Sequence, residues 1–210
     1  MLTYKEMREL SYSGFSVFHD EALIPAFKKK IPVVVKNTNH PELKGTMIKS
    51  EKEDFSKAVV GIASDEGFSS IYVRKYLMNR ELGFGLRLLQ ILVEENISFE
   101  HAPSGIDDMS VIIRSHQLTA EKEKIIMKRI QEELEVDTLS IQHDLAMIML
   151  VGEGMSRRLN VAAKATKAIS EANTNIEMIN QGSSEVSMMF GIEAKNLKST
   201  TNSLYREFFI

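Results

Sequence analysis

Residues 78–85 (Met-Asn-Arg-Glu-Leu-Gly-Phe-Gly) place two glycines at the entry of a predicted helix. Flexible backbone at Gly83 and Gly85 lets N–H groups turn toward an anion, and a helix N-terminus favours negative charge. A carboxylate suits that position. Further along lie Ser98, Glu100, Asp107 and Asp108, oxygen acceptors that suit an ammonium group. An amino acid presents both charges at once, so this set could clamp one between a strand, a turn and a helix start. A plainer reading has the glycines only shaping the helix entry while the carboxylates stay solvated. The residues by themselves leave both readings open.

Other chemistries find less support. Gly152-Glu153-Gly154 follows a predicted strand and precedes a helix, but Arg157 stands where a dinucleotide loop needs a third small residue. No parallel βαβ unit surrounds it, so it reads as a tight strand-to-helix turn. No Gly-x-x-x-x-Gly-Lys-Ser/Thr run occurs. The five histidines (19, 40, 101, 116, 143) are scattered without a His-x-x-x-His pair, so no metal site is expected. No nucleophile-elbow motif supports a Ser/His/Asp triad. Six of the 12 methionines fall between 147 and 189 and read as adaptable core packing.

The elements that would position these residues follow from the chain's organisation. Its 210 residues, 43% apolar and 26% charged, fit one large globular domain or two small ones. A net charge of −3 argues against holding nucleic acid by phosphate neutralisation. The lack of cysteine rules out disulfides and thiolate zinc sites. The longest apolar run, residues 145–151, is far short of the roughly 20 residues a membrane helix needs. A soluble, cytoplasmic chain is expected, with neither membrane nor nucleic acid as a partner.

Shifted by 77 residues, 71–113 overlays 148–190 without a gap, giving nine identities in 43 positions. Among them are Met78/Met155, Arg80/Arg157, Leu82/Leu159 and Asn96/Asn173, and Asp108/Glu185 is an acidic match. We read two copies of one small domain. The first predicts a strand over 70–77 and a helix over 84–95 with Leu88, Leu89, Leu92 and Val93 at helical spacing. Strands at 97–101 and 109–114, a helix capped by Thr119 and a strand over 138–143 follow. The order is βαββαβ, a ferredoxin-like α+β domain. The second copy predicts strand 145–151, helix 161–172, strands 175–180 and 185–191, and helix 194–207. It lacks a last strand, while 58–64 reads as a strand with no partner. Lending that strand to the second copy makes the first an insertion within it. The predicted domains are thus 66–144, and 58–65 with 145–210.

Residues 1–57 predict two short helices (3–12 and 21–30), a strand over 31–36, a turn-rich stretch to Gly45-Thr46 and a polar linker over 51–57. Such a piece is a poor basis for an independent core and reads as the tail of a larger domain.

Leu2-Thr3-Tyr4-Lys5-Glu6-Met7-Arg8-Glu9-Leu10, with Gly14 and Val17-Phe18-His19, and Ile31-Pro32-Val33-Val34-Val35-Lys36-Asn37-Thr38, with Pro41 and Gly45-Thr46, form one pair of motifs. Val151-Gly152-Glu153-Gly154-Met155 and Asn175-Ile176-Glu177-Met178-Ile179, with Gln181-Gly182-Ser183-Ser184-Glu185, form another. These resemble, in turn, the end of the kinase domain and the second regulatory domain of the aspartate kinase family, which phosphorylates the β-carboxylate of L-aspartate with ATP. The resemblance implies tandem ACT-type domains, the first inserted in the second, behind a remnant of an amino-acid-kinase domain at 1–57.

It also implies an allosteric function in lysine, threonine and methionine biosynthesis. L-lysine, then L-threonine, would bind at a two-fold interface between first ACT domains in a homodimer. The implied effector residues are Met78, Gly83, Phe84, Gly85, Ser98, Phe99, Glu100 and Asp108, with Asp107 added from the clamp above. Asn39 would lie at the edge of the parent enzyme's nucleotide site. The family's Lys-Phe-Gly-Gly-Thr-Ser phosphate motif is absent, so the chain should hold no catalytic residue and no cofactor, ATP and Mg belonging to the parent enzyme. It would serve as a regulatory fragment or small subunit with a catalytic partner. Other readings are a ligand-free dimerisation module, another ACT-type amino-acid sensor, or an RNA-binding module of the same fold. The last is disfavoured by few strand aromatics (Tyr72, Phe99) and the acidic charge.

Overall fold

The computed structural model describes the chain apart from Ser16, Phe18, His19 and residues 183–185. Phe18, His19 and the Ser183-Ser184-Glu185 end of the last motif, including the acidic counterpart of Asp108, therefore lie outside the described residues. In chain order the elements are β1 (Leu2–Thr3), α1 (Tyr4–Tyr12), α2 (Ile24–Lys29), β2 (Val33–Val35), β3 (Thr46–Lys49), β4 (Gly61–Arg74), α3 (Phe84–Glu94), β5 (Phe99–His101), β6 (Asp108–Arg114), α4 (Ala120–Leu134), β7 (Thr138–Val151), α5 (Val161–Glu171), β8 (Met178–Asn180), β9 (Ser187–Glu193) and α6 (Leu197–Phe209). They form two compact units. One is continuous, Glu66–Ala146; the other combines Met1–Asp65 with Met147–Ile210.

In the continuous unit the strand order is β5-β6-β4-β7, with α3 and α4 completing βαββαβ. Ile71, Val73, Val111 and Ile113 of the sheet bury against Leu88, Ile91 and Leu92 of α3 and Ile126 and Ile130 of α4. Val93, predicted for the inner face of α3, is exposed; Ile91 takes that place because the apolar stripe turns with the 3.6-residue period. Thr119 caps α4 by accepting the Lys122 N–H, and Glu121 and Glu123 face the positive helix end.

The two-segment unit repeats the order as β8-β9-β7-β4, with α5 and α6. Leu150, Phe190, Ile169 and Leu204 are fully buried in it. Residues from 1–57 add a three-stranded sheet, β1-β3-β2, and a small core of Tyr4, Met7, Leu23 and Ile48. β3 went unpredicted because Gly45-Thr46 reads as turn; there, Thr46 pairs with Val35. Thr3 and Glu6 form a reciprocal capping box at the start of α1.

Four predicted strands prove to be two. Residues 61–64 and 70–74 of the first two fall on β4, 14 residues, with 58–60 and 75–77 outside it, while 138–143 and 145–151 are both β7, also 14 residues. Polar residues at each junction imitate turns, yet the chain passes through with one left-handed residue, Gly67 or Asp144.

The 77-residue repeat holds down to single hydrogen bonds. Met78 N–H donates to Lys75 O at 3.0 Å and Met155 N–H to Gly152 O at 3.1 Å. Arg87 N–H donates to Gly83 O at 3.0 Å and Lys164 N–H to Asn160 O at 2.9 Å. Asp137 N–H meets Arg74 O, and Val60 N–H meets Val151 O, each at 2.8 Å.

Candidate ligand-binding site

The loop leaving β4 in the continuous unit is built by backbone amides and carboxylates. Lys75 N–H donates to Asp107 O at 2.8 Å, Tyr76 N–H to Asp137 Oδ2 at 2.6 Å, and Leu77 N–H to Asp107 Oδ1 at 3.0 Å. Leu77 and Gly83 both take left-handed backbone, with φ of 61° and 79°. Between them a 3-10 turn, Met78–Arg80, carries the chain to α3. No side chain caps α3; Phe84 N–H donates to Glu81 O at 3.3 Å, which leaves the Gly85 end of the first turn to face an anion. A Cβ on Gly83 would meet nothing within 4 Å. Glu81 pairs with Lys75 at 2.8 Å and with Arg87. The Lys75 hydrogen bond foremost holds its carboxyl below the ordinary range; desolvation opposes it, and the Arg87 hydrogen bond adds a smaller lowering effect. The sequence reading missed Glu81.

Met78 and Phe84 are core residues, and their N–H groups donate to Lys75 O and Glu81 O, at 3.0 and 3.3 Å. Asp107 is partly committed to the Leu77 N–H. Asp108 opens β6 opposite Arg74, and a Cβ on Gly105 would come within 2.6 Å of its Oδ1. Ser98, Phe99 and Glu100 stand elsewhere. Phe99 pairs with Ile113, Glu100 pairs with Arg114 Nε at 3.3 Å, and Ser98 donates both N–H and Oγ to Gln117 Oε1. The two groups of acceptors thus lie at opposite ends of β6, five residues or roughly 17 Å apart along the strand. A single chain does not bring the whole predicted clamp together. Around the helix entry Leu82 is fully exposed (100%), Leu86 and Ile106 are 73% and 72% exposed, and Tyr76 is 72% exposed. The sequence reading did not assign this apolar collar.

In the two-segment unit, Gly152 and Gly154 serve close packing. A Cβ would come within 2.1 Å of Ala58 O at the first and 2.3 Å of Lys57 O at the second. The polar linker beside them is mostly exposed, with Lys52 and Phe55 turned inward. Lys52 is buried and pairs with the fully buried Glu6, and the Phe55 ring faces the Arg157 guanidinium at 3.9 Å. An ion pair 46 residues apart in sequence leaves no periodic trace.

Ser69 Oγ lies 3.2 Å from His143 Nδ1, and His143 Nε2 lies 3.3 Å from Glu123 Oε2, in the order of a catalytic triad. Ser69 is fully buried and also bonded to Ser115 Oγ at 2.8 Å, so no substrate reaches it. Asn39 sits in an exposed turn, its N–H donated to Asn37 Oδ1 at 2.9 Å. Among the described residues no cluster of three or more His, Asp or Glu could hold a metal, and no helix is long and apolar enough to cross a membrane.

Residues 148–208 match the ACT domain family. Over 99% of its length the chain is 58% identical to Aspartokinase 3 of Bacillus subtilis (strain 168), of which it covers 46%. It is 29% identical over 191 residues to a bifunctional aspartokinase/homoserine dehydrogenase of Haemophilus influenzae, covering 89% of this chain and 23% of that one. The crystal structure of Clostridium acetobutylicum aspartate kinase superposes with a TM-score of 0.91 at 38% identity, over 98% of this chain and 48% of that one. E. coli aspartokinase III in complex with lysine and aspartate shares the fold, with a TM-score of 0.72 at 18% identity over 99% of this chain and 46% of that one. The chain spans less than half the length of each of these relatives.

Proposed function

We propose that this chain, an aspartokinase homologue that matches the C-terminal, ACT-bearing part of those enzymes, is their regulatory portion, sensing a feedback amino acid. The effector in this proposal is L-lysine, with L-threonine next, bound at the loop over 75–86 and the start of α3. The uncapped α3 N-terminus takes the carboxylate. Asp107, Asp108 or Glu100 takes the ammonium groups, and lysine has two where threonine has one. The observation that carries this reading is the division of the acceptors between opposite ends of β6. Two copies meeting at the apolar collar would complete a clamp that one chain leaves open, so the proposal includes a homodimer through the continuous units.

Aspartate phosphorylation belongs to the whole enzyme in this proposal. ATP, Mg and the catalytic domain or subunit are partners of that enzyme, to which this chain contributes Asn39 at the nucleotide edge. The setting is cytoplasmic. The chain by itself should not turn over ATP with aspartate, and measurable turnover would refute that part.

Titration calorimetry with lysine and threonine tests the sensor. Lysine should bind in the sub-millimolar range, and Asp108→Ala should abolish it, since losing one partner of a desolvated charge pair costs about 2–5 kcal/mol. Glu185→Ala, its repeat counterpart, should leave binding intact. Absence of lysine and threonine binding would leave the ligand-free dimerisation module in its place.

A further inference from the structure

The two repeat-related loops each end a backbone N–H on a carboxylate, but the carboxylates come from different places. Tyr76 N–H donates to Asp137 Oδ2 at 2.6 Å, and 77 residues on, Glu153 N–H donates to Glu6 Oε1 at 2.9 Å. Asp137 sits just ahead of β7, within its own unit. Its repeat counterpart ahead of β4 is Val60, whose backbone makes the equivalent bond but whose side chain accepts nothing. The second copy lacks its own acceptor.

We propose that Glu6 is the positioning carboxylate of the 152–157 loop, doing for it what Asp137 does for the 75–80 loop, and that it thereby ties helix α1 to that loop. Glu6 is fully buried, and its other oxygen, Oε2, accepts Thr3 N–H at 2.9 Å. Thr3 Oγ1 donates in turn to Glu153 Oε1 at 3.1 Å. Glu153 is therefore gripped by its amide and by its side chain, both times at the first turn of α1. Asp137 lies at the surface and needs no counter-ion, whereas a buried carboxylate does; Lys52 supplies it. The contact stands without the proposed function. That reading adds what the tie is for: α1 belongs to the segment resembling the end of a kinase domain, so here a regulatory unit would hold a catalytic one.

Residue-resolved hydrogen exchange on the full 210-residue chain, without any amino acid added, tests the tie. Glu6→Ala combined with Lys52→Met removes the acceptor without leaving an orphan charge. The Glu153 amide and those of the first turn of α1 should exchange at least about tenfold faster, with Tyr76 unchanged. Asp137→Ala should do the reverse, loosening Tyr76 alone. Adding Val60→Asp to the double variant should restore protection at Glu153 but not in α1. Should the double variant fold poorly, Glu6→Gln with Lys52→Met, which keeps one accepting oxygen and leaves no orphan charge, should give a smaller rise at the same amides. Unchanged exchange at Glu153, or equal acceleration at Tyr76 and Glu153, would overturn the proposal. Because no effector is present, a failure here is independent of whether lysine binds.

Discussion

Gly67 and Asp144 stand 77 residues apart and are the two residues at which the long strands β4 and β7 turn left-handed, with φ of 85° and 55°. A Cβ on Gly67 would touch nothing within 4 Å, so Gly67→Ala isolates the torsional cost, about 1 kcal/mol. Asp144→Gly relieves the same strain but frees the unfolded chain, and should change stability by less than about 1 kcal/mol. Gly152→Ala, whose Cβ would strike Ala58 O, should cost more than either. Urea midpoints of the three variants would rank them.

The buried pair makes a sharper demand. Lys52→Met strands the Glu6 carboxylate without a counter-ion and should destabilise the chain by about 3–5 kcal/mol. Glu6→Gln added to it keeps an accepting oxygen and removes the stranded charge, and should recover part of that loss. Additive effects in urea unfolding would show that the two side chains do not act as a pair.

Acid should loosen the 75–87 ion pairs in a predictable window. Glu81 has its carboxyl lowered chiefly by Lys75, so the stability it contributes is present above the ordinary glutamate value, about 4.3, and is lost as pH falls through the lower folded value. Glu94, lowered by Gln90 and Arg129, acts in the same direction. Melting curves of the native chain and Glu81→Gln should differ by a constant amount near neutrality and converge below about pH 4.3. A gap that persists in acid would contradict this.

Leu82→Asp tests the collar. The side chain is fully exposed, so folding stability should move by no more than about 0.5 kcal/mol. If the proposed two-copy clamp holds, light scattering should report a dimer for the native chain and a monomer for the variant, and lysine affinity should fall with it. A native chain that is monomeric at micromolar concentration, with and without lysine, would count against the two-copy clamp.

Much of this architecture was legible because local rules agree with it. The Asn96/Asn173 identity marks left-handed residues after α3 and α5, with φ of 54° and 55°. Thr119 and the Val- and Ile-rich run in β6 declared their own elements. What stayed hidden depends on distance along the chain. Nothing near Glu6 announces Lys52 or Glu153, and nothing near Ser98 says that Asp108 lies at the other end of a strand. Leu82 and Leu159 matched as apolar residues, yet both point to solvent (100% and 92% exposed), which a repeat by itself does not distinguish from core. The polar stretches at Asp65-Glu66 and His143-Asp144 imitated turns inside continuous strands.

The bond from Glu153 N–H to Glu6 spans 147 residues of sequence. At ribosomal rates of about 5–20 residues per second, the start of α1 emerges roughly 7–30 seconds before the amide that satisfies it. During that interval α1 has its capping box, Lys52 and the small core with Leu23 and Ile48, but the buried carboxylate still lacks the Glu153 amide. A nascent chain cannot complete this corner early, so the segment is exposed to chaperones and proteases until the second repeat has been made.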